Sequence, residues 1–135
     1  MANKVYPKAQ KAFLDADIDL LVDDVRALLI DAGSYTYSDS HEFLSDVAGG
    51  ARIGTATALA SKTTTGGVFD AADVVITAVS GSEAEAVILY KHTGVEGTSR
   101  LISYMDLAIG LPVTPNGNDI TLQWDNGTNK IFALG

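Results

Sequence analysis

The acidic tract at residues 15–20, which reads Asp-Ala-Asp-Ile-Asp-Leu, is the closest approach to a binding motif in this sequence. Aspartates at every second position match the first three ligand positions of an EF-hand calcium loop. The sixth position of such a loop requires glycine for a sharp turn, and the twelfth requires a glutamate that binds the ion with both oxygens. Here those positions hold Leu20 and Arg26. The tract therefore predicts a solvated acidic turn and no specific metal site.

The sequence contains few residues that could carry out acid–base or nucleophilic catalysis. The two histidines, His41 and His92, lie in no nucleophile motif, and we expect each to face solvent or to form a hydrogen bond. The sequence has no cysteine, which excludes disulfides and thiolate metal sites. The glycines of residues 49–54 lack the spacing of a dinucleotide-binding loop, and Lys62 precedes its glycines, unlike the lysine of a phosphate-binding loop. We therefore predict a protein that is not an enzyme and has no catalytic residue, bound cofactor or metal.

The charge is strongly negative and unevenly distributed. The net charge is −8, and residues 12–50 contain nine acidic side chains and a single basic one, Arg26. Such a charge repels phosphate backbones, which argues against nucleic-acid binding. The acidic segment is either a solvated face or a surface that docks on a basic patch of a partner. The longest apolar run, residues 86–90, is too short to cross a bilayer, and no signal peptide is visible, so we expect neither export nor a membrane partner.

The length of 135 residues fits one domain that spans the whole chain. Pro7 suits the first turn of a short helix at residues 6–14, so that residues 1 to about 17 form a helical arm. An isolated helix of this length is marginal in water and must dock on another surface. Its anchors are Phe13 and Leu14, either on the protein's own sheet or on a neighbouring subunit. Both are therefore candidate interface residues.

Two more segments of the N-terminal third carry local signals. Residues 20–31 fit either a helix or a strand, and we favour a strand that begins after Asp24 because a glycine and a polar run follow at once. Asp39, with Glu42 three residues later, resembles a capping box and predicts a short helix at residues 41–47.

From residue 51 onward the sequence has the pattern of β-strands separated by turn signals. We predict strands at residues 51–61, 67–69, 73–80, 84–92, 100–107, 119–125 and 130–134. Their number and spacing favour a mainly β fold, either an antiparallel β-sandwich or a jelly-roll-like barrel.

Three details refine this prediction. Residues 86–90 are apolar on both faces, which indicates a central strand. In residues 120–124 apolar and polar side chains alternate, which indicates a strand with one face in solvent. This pattern turns Trp124 inward as a core anchor, and the alternative for Trp124 is an interface position. Asn126-Gly127 predicts a type I′ hairpin turn between the last two strands.

The C-terminal segments also carry a family resemblance. Residues 110–121 (GLPVTPNGNDIT), 124–127 (WDNG) and 130–132 (KIF) resemble a family of small structural proteins of tailed bacteriophages. The similarity covers most of the chain, and its other segments include residues 8–14, 41–46, 59–63, 70–74 and 99–102. Residues 110–117 (GLPVTPNG) and 124–127 (WDNG) are its most specific parts.

The resemblance implies a non-enzymatic protein of the virion, assembled in the host cytoplasm. The best-fitting role is a capsid cement, or decoration, protein on the outer surface of the phage head. Its expected partners are the major capsid protein and further copies of itself, as a dimer or trimer. One alternative is a component of the tail or baseplate. A β-sandwich module for carbohydrate or a host surface is another, although the single tryptophan and the lack of an aromatic platform count against it.

Overall fold

The structure, a computed structural model, describes residues 4–106, 111–124 and 130–133. Its elements are β1 (Lys4–Val5), α1 (Pro7–Leu14), β2 (Val25–Ile30), β3 (Arg52–Ala58), β4 (Val68–Phe69), β5 (Val74–Ile76), β6 (Ala86–Lys91), β7 (Leu101–Met105), β8 (Ile120–Leu122) and β9 (Phe132–Ala133). The predicted mainly β fold is confirmed, with antiparallel sheets and one α-helix near the N-terminus. The described helices include none that is long and apolar enough to cross a membrane.

The largest sheet has five strands in the order β1-β7-β6-β2-β3. The prediction of a central strand at residues 86–90 is confirmed, because β6 lies in the middle and Ala86 to Tyr90 are all buried. β7 is buried along its whole length as well. Strands that are buried on both faces need a cover on each side of the sheet. α1 packs against β7, and β5 packs against β3.

Two smaller sheets complete the sandwich-like arrangement, one formed by β4 with β9 and the other by β5 with β8. The predicted alternation of β8 is confirmed: Ile120 and Leu122 are buried, and Thr121 between them is exposed. A single cluster of buried apolar side chains contains residues from all three sheets and from α1. The sheets therefore share one core.

The predicted N-terminal helix is confirmed as α1, and the segment before it forms an unpredicted edge strand. β1 pairs with β7, with Lys4 opposite Tyr104 and Val5 opposite Ser103. The backbone N–H of Tyr6 then donates to the carbonyl of Ile102 at 3.0 Å. The side chain of Tyr6 is fully buried. Of the two docking sites that the sequence left open, the structure places the described part of the arm on the protein's own sheet.

The predicted helix at residues 41–47 is wrong. Phe43 instead forms a β-bridge with Arg100, and only a single 3₁₀ turn, Leu44–Asp46, follows it. The Asp46 carboxylate caps this turn by accepting the backbone N–H groups of Glu42 and Phe43, at 2.8 and 3.1 Å. Asp39, the predicted cap, accepts the Tyr37 hydroxyl instead. Pairing with the start of β7 therefore overrides the local helix signal.

The described strands on either side of the predicted Asn126-Gly127 hairpin turn both have partners that are distant in the sequence. The Asn126-Gly127 turn itself lies outside the described residues. In the part of the chain that the structure describes, β8 pairs with β5, and β9 pairs with β4. The described part of each of these two strands is therefore held by a long-range partner.

Candidate interaction surface

Trp124, one of the three candidate interface residues, lies in the core. Its side chain is 4% exposed, and the indole N–H donates to the carbonyl of Ala72 at 3.0 Å. Its backbone N–H donates to the Asp73 carboxylate at 3.1 Å. These bonds attach the end of β8 to the segment that leads into β5. The burial of Trp124 favours the core interpretation of this residue over the interface one.

Phe13 is half-buried at the end of α1. Its ring lies 6.3 Å from the ring of Phe132 on β9, and Phe132 in turn lies 5.3 Å from Phe69 on β4. Distances of this size are typical of favourable aromatic pairs. Phe13 therefore anchors α1 to the small β4–β9 sheet of the same chain.

Leu14 points into solvent, with 89% of its surface exposed. The helix ends here in a Schellman motif, in which Asp17 N–H donates to the Ala12 carbonyl at 2.8 Å and Ala16 N–H donates to the Phe13 carbonyl at 3.2 Å. Ala16 occupies the left-handed position of this motif, with φ +63°. Because the motif closes the helix directly after Leu14, the exposed side chain stands on an ordered turn.

A second apolar protrusion follows at Leu21 and Val22, which are 52% and 79% exposed. The turn that carries them is closed by Asp23 N–H donating to the Asp19 carbonyl at 2.8 Å. The Asp19 carboxylate accepts the N–H groups of both apolar residues, and the Asp23 carboxylate accepts that of Asp19. The fold thus holds two large aliphatic side chains in water on a closely bonded turn.

Lys91 fastens this turn to the main sheet. Its ammonium donates to the carbonyl of Asp17 at 2.7 Å and lies 3.3 Å from the Asp23 carboxylate. Asp17 and Asp23 are therefore close together, beside the end of β6. Leu14, Leu21 and Val22 are exposed residues of the single segment 14–23 whose Asp17 and Asp23 are held by Lys91. We name these three residues the apolar tip.

Sequence reasoning singled out Leu14 as an anchor of the arm, whereas its exposure shows that it does not anchor α1 on the protein's own sheet, and it missed Leu21 and Val22. The apolar residues of this segment can be fitted to the buried face of a helix or a strand, and such a pattern does not reveal exposure. The aspartates at positions 19 and 23 are the sequence signal that could have identified this exposed turn, because an aspartate carboxylate readily accepts the N–H groups of residues nearby in the chain.

The carboxylates in the acidic tract and just after it form ion pairs and hydrogen bonds with nearby basic side chains. Asp15 pairs with Lys11, and the Asp17 carboxylate lies 3.6 Å from Arg100. Asp24 binds Arg26 through both of its oxygens, and this hydrogen bonding lowers the pKa of the Asp24 carboxyl below its ordinary value. Among the described residues, no group of three or more histidine or acidic side chains is arranged to hold a metal ion. Basic side chains that the fold brings close to these carboxylates therefore offset much of the negative charge that the sequence shows here.

His41 belongs to a hydrogen-bonded cluster of tyrosines. Its Nδ1 lies 2.7 Å from the Tyr35 hydroxyl, and that hydroxyl lies 2.7 Å from the hydroxyl of Tyr6. Burial raises the pKa of the Tyr6 phenol far above its ordinary value, so it stays neutral. The rings of Tyr37 and Tyr104 pack around this chain of polar groups. The cluster joins the N-terminal segment to the loop after β2, which is a structural role.

A small cavity of about 220 Å³ lies at the β4 end of the fold. It is lined by Thr63, Thr65, Val68, Asp70 and Lys130. Ligand sites for small molecules are usually larger, with volumes of about 300–1,000 Å³. The apolar tip is therefore the stronger candidate for a functional surface.

No protein family model and no curated protein matches this sequence.

Proposed function

We propose that this protein is a non-enzymatic structural protein of a tailed-phage virion, best described as a cement protein that binds the outer surface of the head. Its partners in this role are the major capsid protein and further copies of itself. The proposal rests on the sequence resemblance and on one structural observation, the rigid display of the apolar tip.

The apolar tip supports a binding role because exposed aliphatic side chains are held in place by a dedicated set of bonds. Three of the five large apolar side chains that are exposed in the described part of the chain belong to it. Single exposed apolar residues are common on protein surfaces, whereas concentrated ones usually mark interaction sites. A surface that is already ordered loses less conformational entropy on binding.

The fold suits a shell protein in two further respects. The main sheet has its central strands buried on both faces, which makes a stiff body for bridging neighbouring subunits. The described N-terminal segment pairs with the main sheet of its own chain. Assembly therefore does not require this segment to swap onto a neighbouring subunit. A small contact can hold a shell together when symmetry repeats it many times.

The test is the number of copies in purified particles, measured by quantitative mass spectrometry against the major capsid protein. Copies on the order of hundreds, with the symmetry of the shell, are expected of a cement protein. About six or twelve copies would place the protein in the tail instead. Particles without it should lose their genome at lower temperature, and adding the purified protein back should restore their heat resistance.

A further inference from the structure

We propose that the apolar tip is a self-association surface, on which a second copy of this chain docks through its own apolar tip. The inference deepens the proposed function, because it names the surface through which copies meet, and it rests on the homo-oligomeric part of that proposal. It comes from the charge around Leu14, Leu21 and Val22.

Overall charge works against association of this protein with itself. Each copy carries a net charge of −8, so two copies repel each other over most orientations. A favourable contact must therefore use a part of the surface where acidic and basic groups balance locally.

The surroundings of the apolar tip meet this requirement. Its acidic groups are accompanied by basic groups from α1, β6 and the residue before β7. Lys11 pairs with Asp15 and Lys91 with Asp23, and Arg100 lies 3.6 Å from Asp17 and 3.0 Å from Glu42. Two of these three basic residues come from distant parts of the sequence, so the balance exists only in the folded protein.

The same mixture of signs favours a second copy over a partner of uniform charge. A basic surface would meet Lys11, which is 74% exposed, next to Leu14, and an acidic one would meet Asp15. A second copy presents both signs. In a twofold arrangement each ion pair can exchange partners across the interface while the aliphatic side chains meet at the centre. The patch is therefore complementary to itself.

The chain contains no cysteine, which allows a direct test of proximity. Leu14→Cys and Val22→Cys should each form disulfide-linked dimers under mild oxidation, alone or when the two variants are mixed. Val75→Cys is the matched control, since Val75 is 46% exposed and lies on β5 in a different sheet. Val95 is a poor control, because its loop joins Lys91 to Arg100, which lie beside Asp23 and Asp17.

The strength of the contact is measured by sedimentation velocity over a range of protein concentrations. The double variant Leu14→Gln/Val22→Thr should weaken self-association about tenfold or more, whereas Val75→Thr should leave it unchanged. All these positions are exposed, and circular dichroism of each variant checks that the fold is retained. A wild-type protein that stays monomeric up to millimolar concentration, or equal cross-linking at positions 22 and 75, would overturn the inference.

Particle binding separates this inference from the proposed function. A double variant that self-associates poorly but still binds particles at high concentration supports the inference. A double variant that self-associates normally but no longer binds particles would show that the tip faces the shell. That result would refute the inference and leave the cement role intact.

Discussion

Replacing Ala16 by glycine should make this protein more stable, although it removes a side chain. Ala16 holds the left-handed position of the Schellman motif at φ +63°, where a Cβ is crowded by its own backbone. The backbone bonds of the motif, from Asp17 to Ala12 and from Ala16 to Phe13, do not involve the methyl group and should persist. Glycine is the preferred residue at this position of a helix end.

The magnitude follows from two opposing terms. A left-handed conformation costs a non-glycine residue roughly 1–2 kcal/mol. The larger freedom of glycine in the unfolded chain costs about 0.5–1 kcal/mol. The difference predicts a gain of about 0.5–1 kcal/mol in the free energy of unfolding, which corresponds to a rise of about 2–4 °C in Tm for a chain of this length.

The assay is urea denaturation and a thermal melt of Ala16→Gly beside two other variants. Gly54→Ala introduces a Cβ at φ +70°, 3.4 Å from side-chain atoms of Ile76 and Val79, and should lower stability by a similar amount. Ala58→Gly, at a position without a positive φ, should lower it slightly through chain entropy alone. If Ala16→Gly melts at a lower temperature than the wild type, the strain argument is refuted.

Three further predictions concern the core and the pH dependence of folding. Trp124→Ala should lower the free energy of unfolding by ~3–5 kcal/mol, because it empties a buried indole site and leaves the Ala72 carbonyl without its donor; an unchanged urea midpoint would contradict the core assignment. Ser103→Ala should raise stability by up to about 1 kcal/mol, because within the described part of the chain the buried hydroxyl has no hydrogen-bond partner; a lower Tm would show that a partner exists. The N–H groups of Glu42 and Phe43 lower the pKa of the Asp46 carboxyl, so its stabilisation is present above the unfolded-state pKa of about 3.9 and is lost as the pH falls through the folded-state pKa. Asp46→Asn should therefore be less stable than the wild type at pH 7, and the two proteins should converge at pH 2, as measured by urea denaturation at both pH values.

Local patterns in the sequence identified most elements of this fold. Pro7 and the stripe that follows it place α1, and the apolar runs place β2, β6 and β7 close to their observed bounds. The alternation of residues 120–124 turns Trp124 inward. These features depend on the period of apolar residues along the chain, which differs between helices and strands and can be read without knowing any partner.

The partners of these elements were decided only in three dimensions. In the described part of the chain, β8 pairs with β5 and β9 with β4, and no local pattern in the sequence identifies these partners. The capping signal at residues 39–42 predicted a helix, yet Phe43 bridges to Arg100. A local signal is worth about 1 kcal/mol, and burial of one apolar side chain outweighs it, so tertiary packing determines which strands meet.

The candidate surface shows the same division. The sequence reveals that residues 12–50 are acidic and that Leu14 ends a helix. It does not reveal that Lys91 and Arg100 lie beside the acidic tract, or that Leu21 and Val22 are exposed. Charge balance and exposure depend on which distant residues become neighbours, and a sequence pattern records only the order of residues along the chain.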